Sequence, residues 1–190
     1  MNEYVKKALH LGGTLFAVTA VTGLILGVVQ HFTAQAIAKV EQEARNAAFR
    51  IVMPAGENFE TFELKDNEFV SDVQKATNKD GTAGWCLTVG SKGYGGIVTF
   101  IVGITKDGAV KAINILNHSE TPGLGAKSTE PEFYTQFNDK DKMPLKVVKG
   151  AASGADEISA ISGATITSNA VTSGVNAAYD YWNTNLKGAE

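Results

Sequence analysis

Cysteine, histidine and arginine are scarce in this 190-residue chain, and each scarcity removes a class of chemistry. Cys86 stands alone, so the chain forms no internal disulfide and carries no CxxC redox pair. A Cys-ligated iron–sulfur cluster built by this chain alone is excluded too, because such a cluster takes about four thiolates. The histidines are His10, His31 and His118, and the first two flank an apolar segment. One imidazole and one thiol remain for the rest of the chain, too few for a zinc site of the usual kind. Guanidinium groups come only from Arg45 and Arg50, the formal net charge is −3 and the pI is about 5.7. Without a basic face, nucleic acid is not an expected partner. The 20 glycines follow no fixed period, which excludes collagen-like and solenoid arrays. Any redox chemistry here needs an organic cofactor.

Leu11 to Val29 reads LGGTLFAVTAVTGLILGVV, nineteen residues without a charge. As a helix it spans about 28 Å, close to the hydrocarbon thickness of a bilayer. Lys6 and Lys7 precede it, against Glu3, so the positive-inside rule keeps the N-terminus cytoplasmic and sends the bulk of the chain across. Ala34-Gln35-Ala36 offers an A-x-A pattern, but the apolar run exceeds the roughly 7–15 residues of a cleaved signal. The expected organisation is a cytoplasmic stretch over 1–10, a transmembrane helix over 11–29, a membrane-proximal helix over 30–54 and a globular domain over 55–190. In the membrane-proximal helix Ile37, Val40, Ala44, Ala47 and Ile51 recur at helical spacing, with Glu41, Glu43 and Arg45 between them. Pro54 ends the pattern, and the helix is expected to leave the membrane and dock on the globular domain.

Beyond residue 55 the chain turns to short β-like runs: Gly84–Val89, Tyr94–Val102 and Ala109–Leu116, with Leu145–Val148 further on. Asp107-Gly108 between the second and third runs is a strong hairpin signal. Glu130 to Phe137 reads as a short helix. A last helix starts near Thr167, with Val171, Val175, Ala178 and Trp182 on one face and Ser/Thr/Asn side chains available as caps. With no regular strand–helix alternation, the class is α+β, an antiparallel-rich mixed sheet with packed helices.

Two segments stand apart. Asn117–Lys127, NHSETPGLGAK, gathers His118, Glu120 and Thr121 before the turn dipeptide Pro122-Gly123, and Gly125 permits a further close backbone approach. Taken alone it is equally readable as a plain connecting turn. Asp156–Ser168, DEISAISGATITS, crowds Ser162, Thr165, Thr167 and Ser168 around Gly163, just ahead of the last helix. A helix N-terminus favours a phosphate through its free N–H groups. The segment is neither a P-loop, since no GxxxxGK[ST] occurs, nor a hydrolase elbow, which needs G-x-S-x-G and a histidine. A Ser/Thr-rich helix cap is its bland reading.

Together, SGATxT, ETPGLG about forty residues upstream and one N-terminal apolar helix make the whole chain resemble the FMN-binding subunits of redox-driven ion pumps. These are the G subunit of the Rnf electron transport complex (ferredoxin:NAD+ oxidoreductase) and the C subunit of the sodium-pumping NADH:quinone reductase. The short length and Gly93-Tyr94-Gly95-Gly96 followed by the His118–Gly125 run favour the Rnf protein. The resemblance implies FMN joined through a phosphoester to Thr167 by a flavin transferase that uses FAD and reads Asp156, Ser162, Gly163, Ala164 and Thr165. It further implies that Glu120, Thr121, Gly123, Leu124 and Gly125 lie along the flavin, with Leu124 on the ring and Thr121 and backbone groups at its polar edge. Tyr94 falls where the family places an aromatic, although a tyrosine in a glycine-rich strand is as readily core. His118 either contacts the flavin or closes its loop. Trp85 and Trp182 are packing residues.

The implied role is an electron carrier in a membrane complex, partnered by the other Rnf subunits, with its domain on the periplasmic or extracellular side. No GxGxxG opens a βαβ unit, so NAD binding is not expected here. An apolar helix without an intramembrane charge offers no ion pathway. The residues leave three alternatives open: the FMN-binding protein of the quinone reductase, a membrane-anchored ligand sensor without electron transfer, and an anchored hydrolase using Ser162 or Thr167.

Overall fold

The computed structural model describes residues 3–189, without the side chains of residues 4–6, 8–9, 31 and 35–42. Expectations resting on the side chains of Lys6, His31, Gln35, Ala36, Ile37, Val40 and Glu41 lie outside the described residues. The chain divides into two compact units, Met1–Ala44 and Arg45–Glu190.

Helix α1 covers Glu3–Val52. Within it, His10–Ala34 has a mean hydropathy of 2.0 and is long and apolar enough to cross a membrane. Thr14, Thr19, Thr22 and Thr33 each turn their hydroxyl back onto a carbonyl three or four residues earlier, for example Thr14 Oγ1 onto His10 O at 3.0 Å. Their polar atoms are thereby satisfied inside the helix, as an apolar medium requires.

The second unit is built on an antiparallel five-stranded meander: β1 (Asn58–Thr61), β2 (Val70–Asn78), β3 (Gly81–Lys92), β4 (Ile97–Thr105) and β5 (Val110–Asn117), in that spatial order. The Asp107-Gly108 hairpin forms as expected. Gly108 takes φ +93°, and Thr105 N donates to Ala109 O at 2.9 Å to close the turn. After β5 come a 3₁₀ turn (Gly125–Thr129), α2 (Pro131–Tyr134) and a second 3₁₀ turn (Thr135–Phe137). A separate parallel pair follows, β6 (Lys146–Val148) with β7 (Glu157–Ser159). Helix α3 (Thr165–Tyr181) comes last and continues into a π-type turn, Trp182–Leu186. The main sheet is wholly antiparallel, and parallel pairing among the described residues is confined to β6–β7.

Both faces of the sheet are covered, which explains the continuous apolar runs of β3 and β4. Trp85, Leu87 and Val89 of β3 and Val98, Phe100, Val102 and Ile104 of β4 point to one side, against Val171, Val175 and Ala178 of α3 and Trp182 of the turn that continues it. The face predicted for α3 is the buried one. Cys86 and Ile101 point to the other side, where they meet Ala48, Phe49, Val52 and Met53 at the end of α1. A Cβ on Gly103 would collide with the backbone of Val52, so only glycine lets that last turn lie directly on β4.

The end of α1 packs on the sheet by a different stripe from the apolar positions that the sequence pattern picks out. Ala44, Ala47 and Ile51 are exposed, and the buried set is Ala48, Phe49, Val52 and Met53. The 37/40/44/47/51 spacing is helical, but it is rotated about 100° from the side that carries the large Phe49 and Met53. Two further strands, β1 and β2, occupy the stretch from 58 to 78 that hydropathy leaves blank, because edge strand β1 buries almost nothing and the register of β2 is irregular at Val70/Asp72 and Ala76/Thr77, which breaks the alternation that marks a strand.

Candidate functional site

Two tight turns, 40 residues apart in sequence, bring the two singled-out segments together. In the first, Leu124 N donates to Thr121 O at 3.1 Å across Pro122 and Gly123, the latter at φ +76°. In the second, Ala164 N donates to Ile161 O at 2.9 Å across Ser162 and Gly163, also at φ +76°. Each places glycine at the third position, where a type II turn needs positive φ. Leu124 packs against Gly163: a Cβ there would meet Leu124 Cδ2 at 3.1 Å.

Between the turns lies an open cavity of about 530 Å³ lined by Tyr94, Glu120, Thr121, Leu124, Gly125 and the stretch Gly163–Thr167. Thr167 is 1% exposed and lies in the first turn of α3. Its hydroxyl donates to Glu120 Oε2 at 2.6 Å. Glu120 is itself buried, its Oε1 accepts from Gly95 N at 3.0 Å, and its own N–H donates to His118 Nδ1 at 3.2 Å. Glycines enclose this carboxylate. A Cβ on Gly93 or Gly125 would strike a Glu120 oxygen, and one on Gly95 would strike Ser119 O. The glycines of GYGG and PGLG thus make room for one buried acid.

The entrance of α3 departs from the cap that its Ser/Thr content predicts. The N-cap is Ala164, with no side-chain cap. Ser168 Oγ instead accepts from Ile161 N at 2.9 Å and donates to Ala164 O at 3.0 Å, fastening the turn to the helix from inside. The first amide with a helical acceptor is that of Ser168, which donates to Ala164 O. The amides of Thr165, Ile166 and Thr167 precede it, at the cavity, and helix-start N–H groups of this kind favour an anion.

Not every candidate residue lines this cavity. Tyr94, Glu120, Thr121, Leu124, Gly125, Gly163, Ala164, Thr165 and Thr167 do. Ser162 faces a neighbouring groove with Lys127, Phe133 and Gln136. Gly123 shapes its turn, and His118 closes its own loop. Asp156 sits before β7, paired with Lys146 at 3.1 Å; that hydrogen-bonded ammonium holds its carboxyl below the usual carboxylate range. Tyr94 is 72% exposed at the rim and is not core, whereas Trp85 and Trp182 are buried. Ile166 is a lining residue that neither motif singles out. It is 55% exposed on the cavity wall, and an isoleucine among polar residues at a helix start is the signal that could have found it.

The site is polar at its floor and apolar at its mouth, where Tyr94, Leu124 and Ile166 are exposed. A buried hydroxyl beside free helix-start amides suits a phosphate, and the apolar mouth suits a flat aromatic ring. FMN joins these two parts, so the residues present fit it.

The profile of the FMN-binding domain family matches residues 93–180, a span that holds both turns and the whole cavity lining. Along nearly its full length the chain is similar to two curated proteins. One is the G subunit of the proton-translocating ferredoxin:NAD(+) oxidoreductase complex of Clostridium ljungdahlii, 34% identical over 174 residues, which cover 88% of this chain and 91% of that one. The other is the G subunit of the Na(+)-translocating ferredoxin:NAD(+) oxidoreductase complex of Acetobacterium woodii, 36% identical over 186 residues, covering 90% and 89%. This chain belongs to the family of Rnf G subunits. Among solved structures, the C subunit of the Na(+)-translocating NADH-quinone reductase of Parabacteroides distasonis is similar with a TM-score of 0.50 and 26% identity, over 58% of this chain and 60% of that one. The fold is therefore shared between the Rnf and quinone-reductase proteins, while similarity along the whole chain lies with the Rnf family.

Proposed function

We propose that this chain is the FMN-carrying electron-transfer subunit of a membrane-bound, ion-translocating ferredoxin:NAD+ oxidoreductase, with the flavin joined to Thr167 by a phosphoester bond that a flavin transferase makes. The observation that carries the reading is the Thr167 hydroxyl at the floor of an open cavity, in the uncapped first turn of α3.

Bound FMN supplies electron exchange, singly or in pairs. The amides of Thr165 and Ile166 and the positive end of α3 would hold the phosphate charge. Leu124, Ile166 and Tyr94, exposed on the cavity lining, would flank the ring and shield it in part from water. Attachment through phosphate leaves the ring free to change redox state. A relay of this kind needs no substrate-activating nucleophile or base. Ion movement belongs to other subunits, because the segment His10–Ala34 carries no Asp, Glu, Lys or Arg, and NAD binding does too, because no GxGxxG opens a βαβ unit here. Lys6 and Lys7 ahead of that segment favour a cytoplasmic N-terminus and a flavin domain on the periplasmic or extracellular side.

The test is to co-express the chain with a flavin transferase, denature it, and look for in-gel fluorescence and the mass increment of FMN. The wild type is expected to carry the flavin and Thr167→Ala none. A colourless, unmodified wild type, or a labelled Thr167→Ala, overturns the assignment. The proteins that co-purify from the native membrane separate this reading from the quinone-reductase one.

A further inference from the structure

We propose that Glu120 is the base that takes the proton from Thr167 when the flavin is attached, so that the chain supplies part of the chemistry of its own modification. The inference rests on the covalent reading above and goes beyond it.

Four observations support the assignment. First, Glu120 Oε2 lies 2.6 Å from Thr167 Oγ1, within the reach required of a general base. Second, the carboxylate cannot turn away easily. Gly95 N holds Oε1 at 3.0 Å, and the space around it exists only because residues 93 and 125 lack a Cβ. Third, Glu120 is buried, and among the described residues it forms no ion pair with a lysine or arginine, so no structural salt bridge accounts for burying an acid there. Fourth, the contact belongs to the unmodified chain. Esterified Oγ1 has no hydrogen to donate, so a hydrogen bond from Thr167 to Glu120 exists only before attachment.

Thr167 Oγ1 attacks the flavin-side phosphorus of a flavin dinucleotide, which is the FAD donor of the transferase. The Oγ1–P bond forms with the oxygen's electron pair, and its proton passes to Glu120 Oε2. The P–O bond of the pyrophosphate bridge breaks, and AMP leaves with the bridging oxygen and the bonding pair. Nothing is oxidised or reduced. Thr165 and Ile166 line the same cavity at the start of α3, and their amides, which precede the first intrahelical donor, would stabilise the charge that develops on the phosphoryl oxygens.

The test measures attachment kinetics on the full-length chain with purified flavin transferase, FAD and Mg²⁺, read by fluorescence and mass. Glu120→Gln keeps the shape and an acceptor for Gly95 N but cannot take a proton. It is expected to lower kcat for attachment by about 10²–10⁴-fold, the range of general-base contributions, with the KM for the acceptor chain little changed. Urea denaturation of the unmodified variant checks its fold. Should Glu120→Gln not fold, Glu120→Asp keeps the carboxylate but withdraws it by one methylene, and a kcat reduced at least about tenfold is expected for this misplacement. Attachment by a folded variant at the wild-type rate overturns the base assignment and leaves the covalent reading standing. A loss confined to KM also overturns it, since Glu120 then serves recognition. An unlabelled wild type overturns both.

Discussion

Gly125 and Gly81 form a pair in which two glycine-to-alanine changes cost similar stability for different reasons, and only one touches the site. Gly125 has no left-handed φ, so its backbone accepts alanine; the obstacle is space. An added Cβ strikes Glu120 Oε2 and lies 2.6 Å from Thr167 Oγ1 and 2.9 Å from Glu120 Cβ. Crowding of this kind costs about 1–3 kcal/mol. Gly81 is at φ +111° with nothing within 4 Å of an added Cβ, so Gly81→Ala meets only backbone strain, about 1–2 kcal/mol. Urea denaturation is therefore expected to find both variants folded and weakened to a similar extent. Flavin attachment is expected to separate them. Gly125→Ala drives apart a hydrogen-bonded pair that is 2.6 Å long, and a misplacement approaching 1 Å lowers the rate by up to about 10²-fold. Gly81→Ala, at the first residue of β3 and outside the cavity lining, leaves attachment within about twofold of wild type, as changes away from a site do. Attachment by Gly125→Ala at the wild-type rate refutes the argument. So does an equal loss in Gly81→Ala, which makes attachment a measure of stability alone.

Burial, with a smaller push from Asp72, raises the Cys86 thiol from its ordinary 9.0 to about 12, so Cys86 is expected to resist alkylation in the folded chain and to react once urea unfolds it. Because the folded value is the higher one, this thiol's contribution to stability is full below the unfolded value and is lost as pH rises from 9.0 towards 12. The unfolding free-energy difference between wild type and Cys86→Ala is expected to shrink by up to about 1.4 kcal/mol per pH unit across that window, and a flat difference refutes the account. A reporter fused at the C-terminus is expected to face away from the cytoplasm, and a cytoplasmic signal contradicts the reading of Lys6 and Lys7.

The apolar segment is legible from the sequence because nineteen residues run without a charge, and the α3 core face because Val171, Val175, Ala178 and Trp182 recur at helical spacing. Asp107-Gly108 marks its hairpin because positive φ is a local demand. Where local rules compete, the sequence is less decisive. The end of α1 carries two helical apolar stripes, and only the sheet opposite, with Gly103 flat beneath Val52, selects Phe49 over Ile51. The hydroxyls before α3 look like caps, yet Ser168 bonds inward and Ala164 holds the cap position.

By itself the sequence singled out the segments that line the cavity: the threonine-rich entry to α3 and the ETPGLG loop, linked by the family resemblance. It did not determine that Glu120 meets Thr167, since 47 residues separate them. That contact depends on two turns, one helix and the return of β5, each with its own local cause and none encoding the other's position. The tertiary structure decided it by closing a space that three glycines leave open, and packing in that space aims one buried carboxylate at one hydroxyl.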